Sequence, residues 1–141
     1  MRVHAAPDQD PVYEGSCVEF FYAHGCNYRN FEFNCLGVYL SATGPDQHNR
    51  VRLQQQELGR IVRIPSLCKD NLPAEGKLGD WELTVGIPLS ILAIKAGCMF
   101  FGNFYRCGAK TGFYIQLNRL GRLSMDVQCQ SRSKLCHFIH L

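Results

Sequence analysis

The chain has 141 residues, 46% of them hydrophobic, and a formal net charge of +3 from 15 basic and 12 acidic side chains. This length and composition predict one domain, 1–141, with a real hydrophobic core, and they exclude a disordered chain. The nearly balanced charge argues against a dedicated nucleic-acid binder, which usually carries a concentrated basic stripe.

No apolar run approaches the roughly 20 residues that span a bilayer. The first residues, MRVHAAPDQDP, lack the apolar centre of a signal peptide, so we expect a cytoplasmic protein without a membrane partner. The eight cysteines lie at positions 17, 26, 35, 68, 98, 107, 129 and 136, without a CxxC pair. We therefore expect most of them to be small core residues rather than zinc ligands or disulfides.

The first predicted strand lies around Cys17 to Tyr22 and ends at a His-Gly turn, which makes a hairpin with the next strand natural. The stretch YRNFEFNCLGVYLSA is predicted as one second strand, closed by the turn cluster TGPDQHN. Its residues alternate between a polar face and a face that we expect in the core: Asn30, Glu32 and Asn34 against Phe31, Phe33 and Cys35.

Further short strands follow. Alternations occur at Val51/Leu53 and over Ile61 to Ile64, and WELTVGIPL predicts a strand with Trp81 in the core. IPLSILAIKAG predicts a single short helix that starts at Pro88 and stops at Gly97. CMFFGNFYRCG returns to a strand, with Gly102 at a bulge or a close-packing point, and one or two strands follow it. The fold class predicted is all-β, an antiparallel β-sandwich with one short helix.

Familiar catalytic motifs are missing from the sequence. There is no GxSxG, P-loop or HExxH pattern, and the five histidines are scattered. Glu19 and Glu32 would meet across the predicted hairpin, as the paired carboxylates of a glycosidase do. Two solvated strand glutamates are the more ordinary arrangement, so we expect a protein that is not an enzyme.

What remains is a set of polar and aromatic side chains on the predicted sheet. Sugar recognition uses planar bidentate groups for vicinal hydroxyls and an aromatic face for the C–H side of the ring. Buried hydrogen bonds that brace the sheet are the alternative role for the same residues. The set is Glu19, Asn30, Glu32, Asn34, Asn103, Tyr105 and Arg106.

Four stretches occur in an order that resembles the carbohydrate-binding family 9-like domains, a branch of the DOMON-like β-sandwiches: DPVYEGSCVEFFY, YRNFEFNCLGVYLSATG, WELTVGIPLSIL and GNFYRCG. The resemblance is strongest over residues 2–108, and 109–141 is diverged. It implies a non-catalytic module, typically bacterial, that holds a mono- or oligosaccharide beside a carbohydrate-degrading enzyme system. The ligand-binding residues that it implies are Glu19, Glu32, Asn34, Asn103 and Arg106, with Tyr105 as stacking partner.

The chain departs from the family pattern in three places. Gly15 stands where an acidic residue usually precedes Ser-Cys. Related domains carry further strands before this point, which implies missing N-terminal strands. The usual Ser-Trp-x-Pro stretch and His-Pro-Phe-Gly-like ending are not found after Gly108. A truncated, diverged or frame-shifted chain would explain the last difference, and a degenerate structural module without a ligand is therefore an alternative.

A haem- or redox-binding DOMON-like module is a further alternative, because some related sandwiches hold haem. It would need an axial pair such as Met/His, drawn from Met1, Met99 or Met125. We expect no cofactor. A structural calcium would use loop carboxylates such as Asp46, Asp70 and Asp80, although no spacing defines a site.

Overall fold

The computed structural model describes residues 3, 7–24, 26–74, 80–95, 100–108, 113–116 and 135–138. Short strands dominate this part of the chain, with two helices of four residues each and two 3-10 turns at Val12–Glu14 and Lys69–Asn71. The elements in chain order are β1 Cys17–His24, β2 Asn27–Asn34, β3 Tyr39–Gly44, β4 Val51–Arg52, α1 Gln55–Leu58, β5 Val62–Pro65, β6 Leu83–Pro88, α2 Leu89–Leu92, β7 Phe101–Gly108, β8 Phe113–Gln116 and β9 Leu135–Phe138.

The strands form two antiparallel sheets, which confirms the predicted all-β sandwich. One sheet has six strands in the order β4-β3-β2-β1-β7-β8, and the other has three in the order β5-β6-β9. The hairpin β1–β2 and the hairpin β2–β3 are local, whereas β7 reaches β1 from about eighty residues further along the chain. Strand β1 therefore lies between a local partner and a distant one.

The shared core is built on aromatic rings from the six-stranded sheet. Phe20 stacks on Phe104 with ring centroids 5.0 Å apart and lies 6.2 Å from Phe31. Phe33 stacks on Tyr39 at 5.4 Å. Val85 and Ile87 of β6 and side chains of both helices complete this cluster of buried residues. The prediction that Phe31 and Phe33 face the core is confirmed, and Trp81 also packs against it as predicted.

The stretch predicted as a single second strand is two strands. Strand β2 ends at Asn34 and β3 begins at Tyr39, with a turn between them in which Gly37 has a φ of 75°. That left-handed conformation suits glycine, which has no Cβ to clash with the backbone. Cys35 is fully buried, but it lies in this turn and not on a strand facing the core. The prediction of one continuous strand was therefore wrong.

The helical content also differs from the prediction. Helix α2 follows Pro88 as expected, but it ends at Leu92, because Ala93 has left-handed φ and ψ values of 55° and 34°. Gly97, the predicted stop, lies outside the described residues. Helix α1 was not predicted, and its first residue follows Gln54, which makes no side-chain capping bond. No helix in the described ranges is long and apolar enough to cross a membrane.

The segment around Asp8 and Gln9 joins the two sheets. Arg63 of β5 donates from Nη1 to both carboxylate oxygens of Asp8, at 2.7 and 2.8 Å, and to the carbonyl of Gly37 at 3.0 Å. Its guanidinium lies 4.8 Å from the centroid of the Tyr39 ring. Gln9 in turn bonds the backbone of Tyr39 and Ser41 in β3. These contacts fasten the segment to both sheets at this end of the sandwich.

Candidate functional site

The strand register places polar and aromatic side chains in two rows on one face of the six-stranded sheet. Directly paired residues of antiparallel strands point to the same side. Glu19 is paired with Glu32 on β2 and with Tyr105 on β7. Phe21 is paired with Asn30 and Asn103 in the neighbouring row. Val18, Phe20 and Tyr22, which alternate with Glu19 and Phe21 along β1, point into the core. Glu19 and Phe21 therefore point away from it. We call their side of the sheet, which also carries Tyr28 and Asn34, the outer face.

Three aromatic rings follow one another across the outer face. Phe21 meets Tyr105 edge-on, with centroids 5.2 Å apart, and it lies 6.1 Å from the tilted ring of Tyr28. All three side chains are half-buried, so part of each ring reaches the surface. Sequence reasoning included Tyr105 and missed Phe21 and Tyr28. The signal that could have found them is the hairpin register, which puts Phe21 opposite Asn30.

Two of the buried polar residues of the outer face, Asn30 and Glu32, contact each other. Asn30 and Glu32 are 1% and 4% exposed, and Nδ2 of Asn30 donates to Oε1 of Glu32 over 2.6 Å. Oε2 of Glu32 and Oδ1 of Asn30 make no hydrogen bond. Burial, followed by the charge of Glu19, raises the pKa of Glu32 to about 7, although the Asn30 bond and two arginines act in the opposite direction. The buried carboxyl is thus poised to titrate near neutral pH.

Arg50 and Arg52 lie at the β4 edge of the outer face. Nη1 of Arg50 is 3.9 Å from Oε1 of Glu32, which is longer than a hydrogen bond, and its Nε donates to the carbonyl of Gln47. Arg52 is paired with Ala42 and donates to the carbonyl of Gln9. Neither arginine was among the predicted site residues, because the sequence gives no sign of how far β4 extends.

Asn34 holds the turn between β2 and β3. Its Oδ1 accepts hydrogen bonds from the backbone N–H groups of Leu36 and Val38, at 3.0 and 3.1 Å, and its side chain is fully buried. The geometry is that of a side chain that satisfies turn amides, which would otherwise be unpaired. Of the two roles considered for this residue, the bracing role is the one that its contacts support.

The remaining predicted residues lie on strand β7, but on opposite sides of the sheet. Asn103 and Tyr105 are half-buried on the outer face, and Nδ2 of Asn103 lies 3.4 Å from the Tyr105 hydroxyl. Arg106 is exposed and is paired with Val18, so its side chain leaves the sheet on the opposite side. The structure therefore brings together five of the six predicted residues, Glu19, Glu32, Asn34, Asn103 and Tyr105, and it places Arg106 apart from them.

A groove lies at the end of the sandwich near Pro7. Its volume is about 570 Å³, and its walls are largely apolar, with Leu36, Val38 and Leu67 among them. It lacks the converging polar groups that normally orient a ligand. The outer face is the better candidate site for this reason.

The loop carboxylates do not converge on a metal site in the described part of the chain. Both oxygens of Asp46 accept hydrogen bonds within its own turn, from the backbone of His48 and Asn49 and from the Asn49 side chain. Among the described residues, no three His, Cys, Asp or Glu side chains form a group that could hold a metal ion. The three methionines proposed for haem ligation lie outside these residues.

Comparison with known proteins places this chain in a family. The model of carbohydrate-binding family 9 matches residues 1–125. A crystal structure of a protein from Bacteroides uniformis, described as a candidate carbohydrate-binding protein, is 35% identical and superposes with a TM-score of 0.66. The match covers 82% of this chain and 56% of that protein, so the chain spans little more than half of its length. No curated protein matches significantly. The extent of the family match shows that the chain belongs to carbohydrate-binding family 9.

Proposed function

We propose that this chain is a non-catalytic carbohydrate-binding module that holds a mono- or oligosaccharide on its outer face. The observation that carries the proposal is the row of half-buried rings, Phe21, Tyr28 and Tyr105, with Glu19 and Asn103 beside it. Aromatic rings pack against the C–H side of a pyranose, and carboxylate and amide groups pair with its hydroxyls. The family membership and the Bacteroides uniformis structure support the same ligand class.

The non-catalytic role is supported by the burial of Glu32. A glycosidase needs one carboxylic acid and one carboxylate that both reach the scissile bond. Glu19 and Glu32 face each other, and the raised pKa of Glu32 would suit a general acid. The Glu32 carboxyl is 4% exposed, however, and one of its oxygens is held by Asn30, so it has no path to a glycosidic oxygen.

We also propose that the module serves a carbohydrate-degrading enzyme system, in line with the resemblance of its motifs. Binding without catalysis is useful when it raises the local concentration of substrate around a linked or associated enzyme. The outer face suits this task, because its accessible groups are rings and hydrogen-bonding side chains without a nucleophile in a catalytic arrangement.

The test is calorimetric titration of the purified chain with neutral mono- and oligosaccharides, combined with thermal unfolding. A bound sugar raises the unfolding midpoint by mass action. We expect Tyr105→Ala to weaken binding about fivefold, since loss of a stacking ring is worth on the order of 1 kcal/mol. Arg106→Ala is the matched control, because Arg106 is the next residue on β7 and points to the opposite side.

Two outcomes would overturn the proposal. One is a cooperative unfolding transition whose midpoint no sugar shifts, which would favour a structural module without a ligand. The other is a sugar affinity that Arg106→Ala abolishes and Tyr105→Ala leaves unchanged, which would place the ligand on the other side of the sheet.

A further inference from the structure

We infer that the sugar bound by the outer face carries a carboxylate, as a uronic acid does, and that Arg50 and Arg52 bind this group. The inference rests on the proposed function, since it names the class of sugar for the same face. It is carried by the position of both guanidinium groups on this face and by the N–H donors that their own contacts leave over.

The strand register puts both arginines on the outer face. Arg52 lies in the same cross-strand row as Asn30 and Phe21. Arg50 precedes Arg52 by two positions, and its Nη1 lies 3.9 Å from Oε1 of Glu32. The Arg50 side chain therefore extends from the β4 edge across β3 to β2. Only one further strand spacing, about 5 Å, separates β2 from Phe21 on β1.

Both guanidinium groups keep most of their hydrogen-bond donors available. A guanidinium carries five N–H donors. Arg50 donates from Nε to the carbonyl of Gln47, and Arg52 donates from Nη1 to the carbonyl of Gln9. The described residues offer the two side chains no other acceptor at hydrogen-bond distance. The Arg50 side chain is 26% exposed and Arg52 is exposed, so both side chains reach solvent.

The carboxyl that lies beside Arg50 balances little of the positive charge at this edge. Burial, followed by the charge of Glu19, raises the pKa of Glu32 to about 7, although both arginines act against this rise. Glu32 is therefore mostly protonated at pH 6. Arg52 forms no ion pair with any residue in the described ranges. Glu19 meets Glu32 from β1, on the side opposite to the arginines.

A carboxylate fits this pair of guanidinium groups better than a hydroxyl does. The planar fork of N–H groups matches the two oxygens of a carboxylate, and such charge-assisted hydrogen bonds are stronger than those to neutral groups. On a uronic acid the carboxylate is attached to the rim of the ring, which leaves the C–H side able to pack on an aromatic side chain. A sugar unit on Phe21 would thus direct its own carboxylate, or that of the next unit, toward Arg50.

Trimers of glucuronic, galacturonic and mannuronic acid test the inference, each compared with its own methyl ester. The ester keeps the sugar rings and their linkage and removes the negative charge. In calorimetric titrations at pH 6 we expect at least one acid to bind about tenfold more tightly than its ester, as charge-assisted hydrogen bonds allow.

Arg50→Gln and Arg52→Gln should each weaken the preference for the acid, and the double variant should abolish it. Arg60→Gln is the matched control, because it removes the same charge from an exposed arginine that donates to Ser90 of α2. The net charge of +3 attracts any anion, and this general attraction falls equally in each single variant. Thermal unfolding of every variant shows that it is folded.

Each outcome bears on one of the two proposals. Acids that bind no more tightly than their esters would overturn the carboxylate inference and leave the carbohydrate proposal standing. A preference that survives in the double variant would also overturn the inference, because the anion would then be bound elsewhere. Tighter binding of a sulfated neutral trimer than of any uronate would overturn the assignment to a carboxylate. A folded chain that binds neither these trimers nor any neutral sugar would overturn the proposed function itself.

Discussion

Asn30 donates a hydrogen bond of 2.6 Å to Glu32, and both side chains are almost completely buried on the same face of the sheet. The bond accounts for one oxygen of the carboxyl and leaves the other without a partner. A buried carboxyl in this position favours its neutral form, because the charge would lose hydration and face Glu19. The pair therefore links the protonation of one residue to the stability of the sheet.

The free energy of unfolding should fall as pH rises from about 4.5 to about 7. The pKa of Glu32 is raised to about 7 in the folded chain and returns to about 4.5 on unfolding, so folding takes up a proton between these values. The stabilisation is fully present below pH 4.5 and is lost as pH rises to about 7, with a total near 3 kcal/mol. Urea unfolding of the wild type and of Glu32→Gln from pH 4.5 to 8.5 measures this pH-dependent part of the unfolding free energy.

In that comparison Glu32→Gln should be close to neutral at low pH and stabilising at pH 8. Glu82→Gln serves as control and should keep the wild-type slope, since it changes an exposed glutamate. If the wild type and Glu32→Gln show parallel pH profiles, the buried carboxyl does not titrate in this range.

Asn34→Ala and Asn103→Ala should separate stability from binding. Asn34 accepts two backbone hydrogen bonds inside a buried turn, so its truncation leaves two amides unpaired and should cost about 2–3 kcal/mol of unfolding free energy. Asn103 is half-buried, and we expect its truncation to weaken sugar binding with less than about 1 kcal/mol lost in stability. Urea unfolding measures the loss of stability in each variant, and calorimetric titration measures the loss of sugar affinity. A stable Asn34→Ala would contradict the bracing role.

Gly102→Ala should destabilise the sheet. A Cβ at this position would lie 3.1 Å from Cε2 of Phe20 and 3.1 Å from the carbonyl oxygen of Phe21, so a core ring and the backbone of β1 would both have to shift. We expect a loss of about 1–3 kcal/mol, as for other overpacked sites. Gly59→Ala is the control, because nothing lies within 4 Å of its added Cβ. Equal thermal midpoints for the two variants would contradict this packing.

Alternation of polar and apolar residues was enough to predict the sandwich, the β1–β2 hairpin and strand β7. The glycine within the β7 pattern indicated either a bulge or a close-packing point at Gly102, and the structure shows close packing there. The pattern failed between Asn34 and Tyr39, since Leu36 and Val38 continue a strand-like composition through a turn. What stops the strand there is Gly37 with its positive φ and the side chain of Asn34, and neither appears as a break in hydrophobicity.

The candidate site was predicted in part. Glu19 and Glu32 could be placed opposite each other, because a hairpin with a short turn fixes its own register. The residues of β7 that lie beside Glu19 could not be predicted, since the pairing of Glu19 with Tyr105 joins residues far apart in sequence. Arg106 was grouped with Asn103 and Tyr105 because of the motif resemblance. As the residue next to Tyr105 on β7 it points to the other side of the sheet, which strand alternation alone could have shown. The burial of the polar residues of β2 could not be predicted from composition either, because Asn and Glu are usually exposed.

The position of β1 between a local and a distant partner has a consequence for how the site forms. Hairpin β1–β2 can form early, because closing a short turn loses little chain entropy, whereas β7 must close a loop of about eighty residues. We therefore expect Glu19 and Glu32 to meet before Tyr105 and Asn103 reach them. The rings of Phe21, Tyr28 and Tyr105 lie side by side only after β7 has paired with β1. A ligand that contacts both strands would therefore bind the folded chain and slow its unfolding, without accelerating its folding.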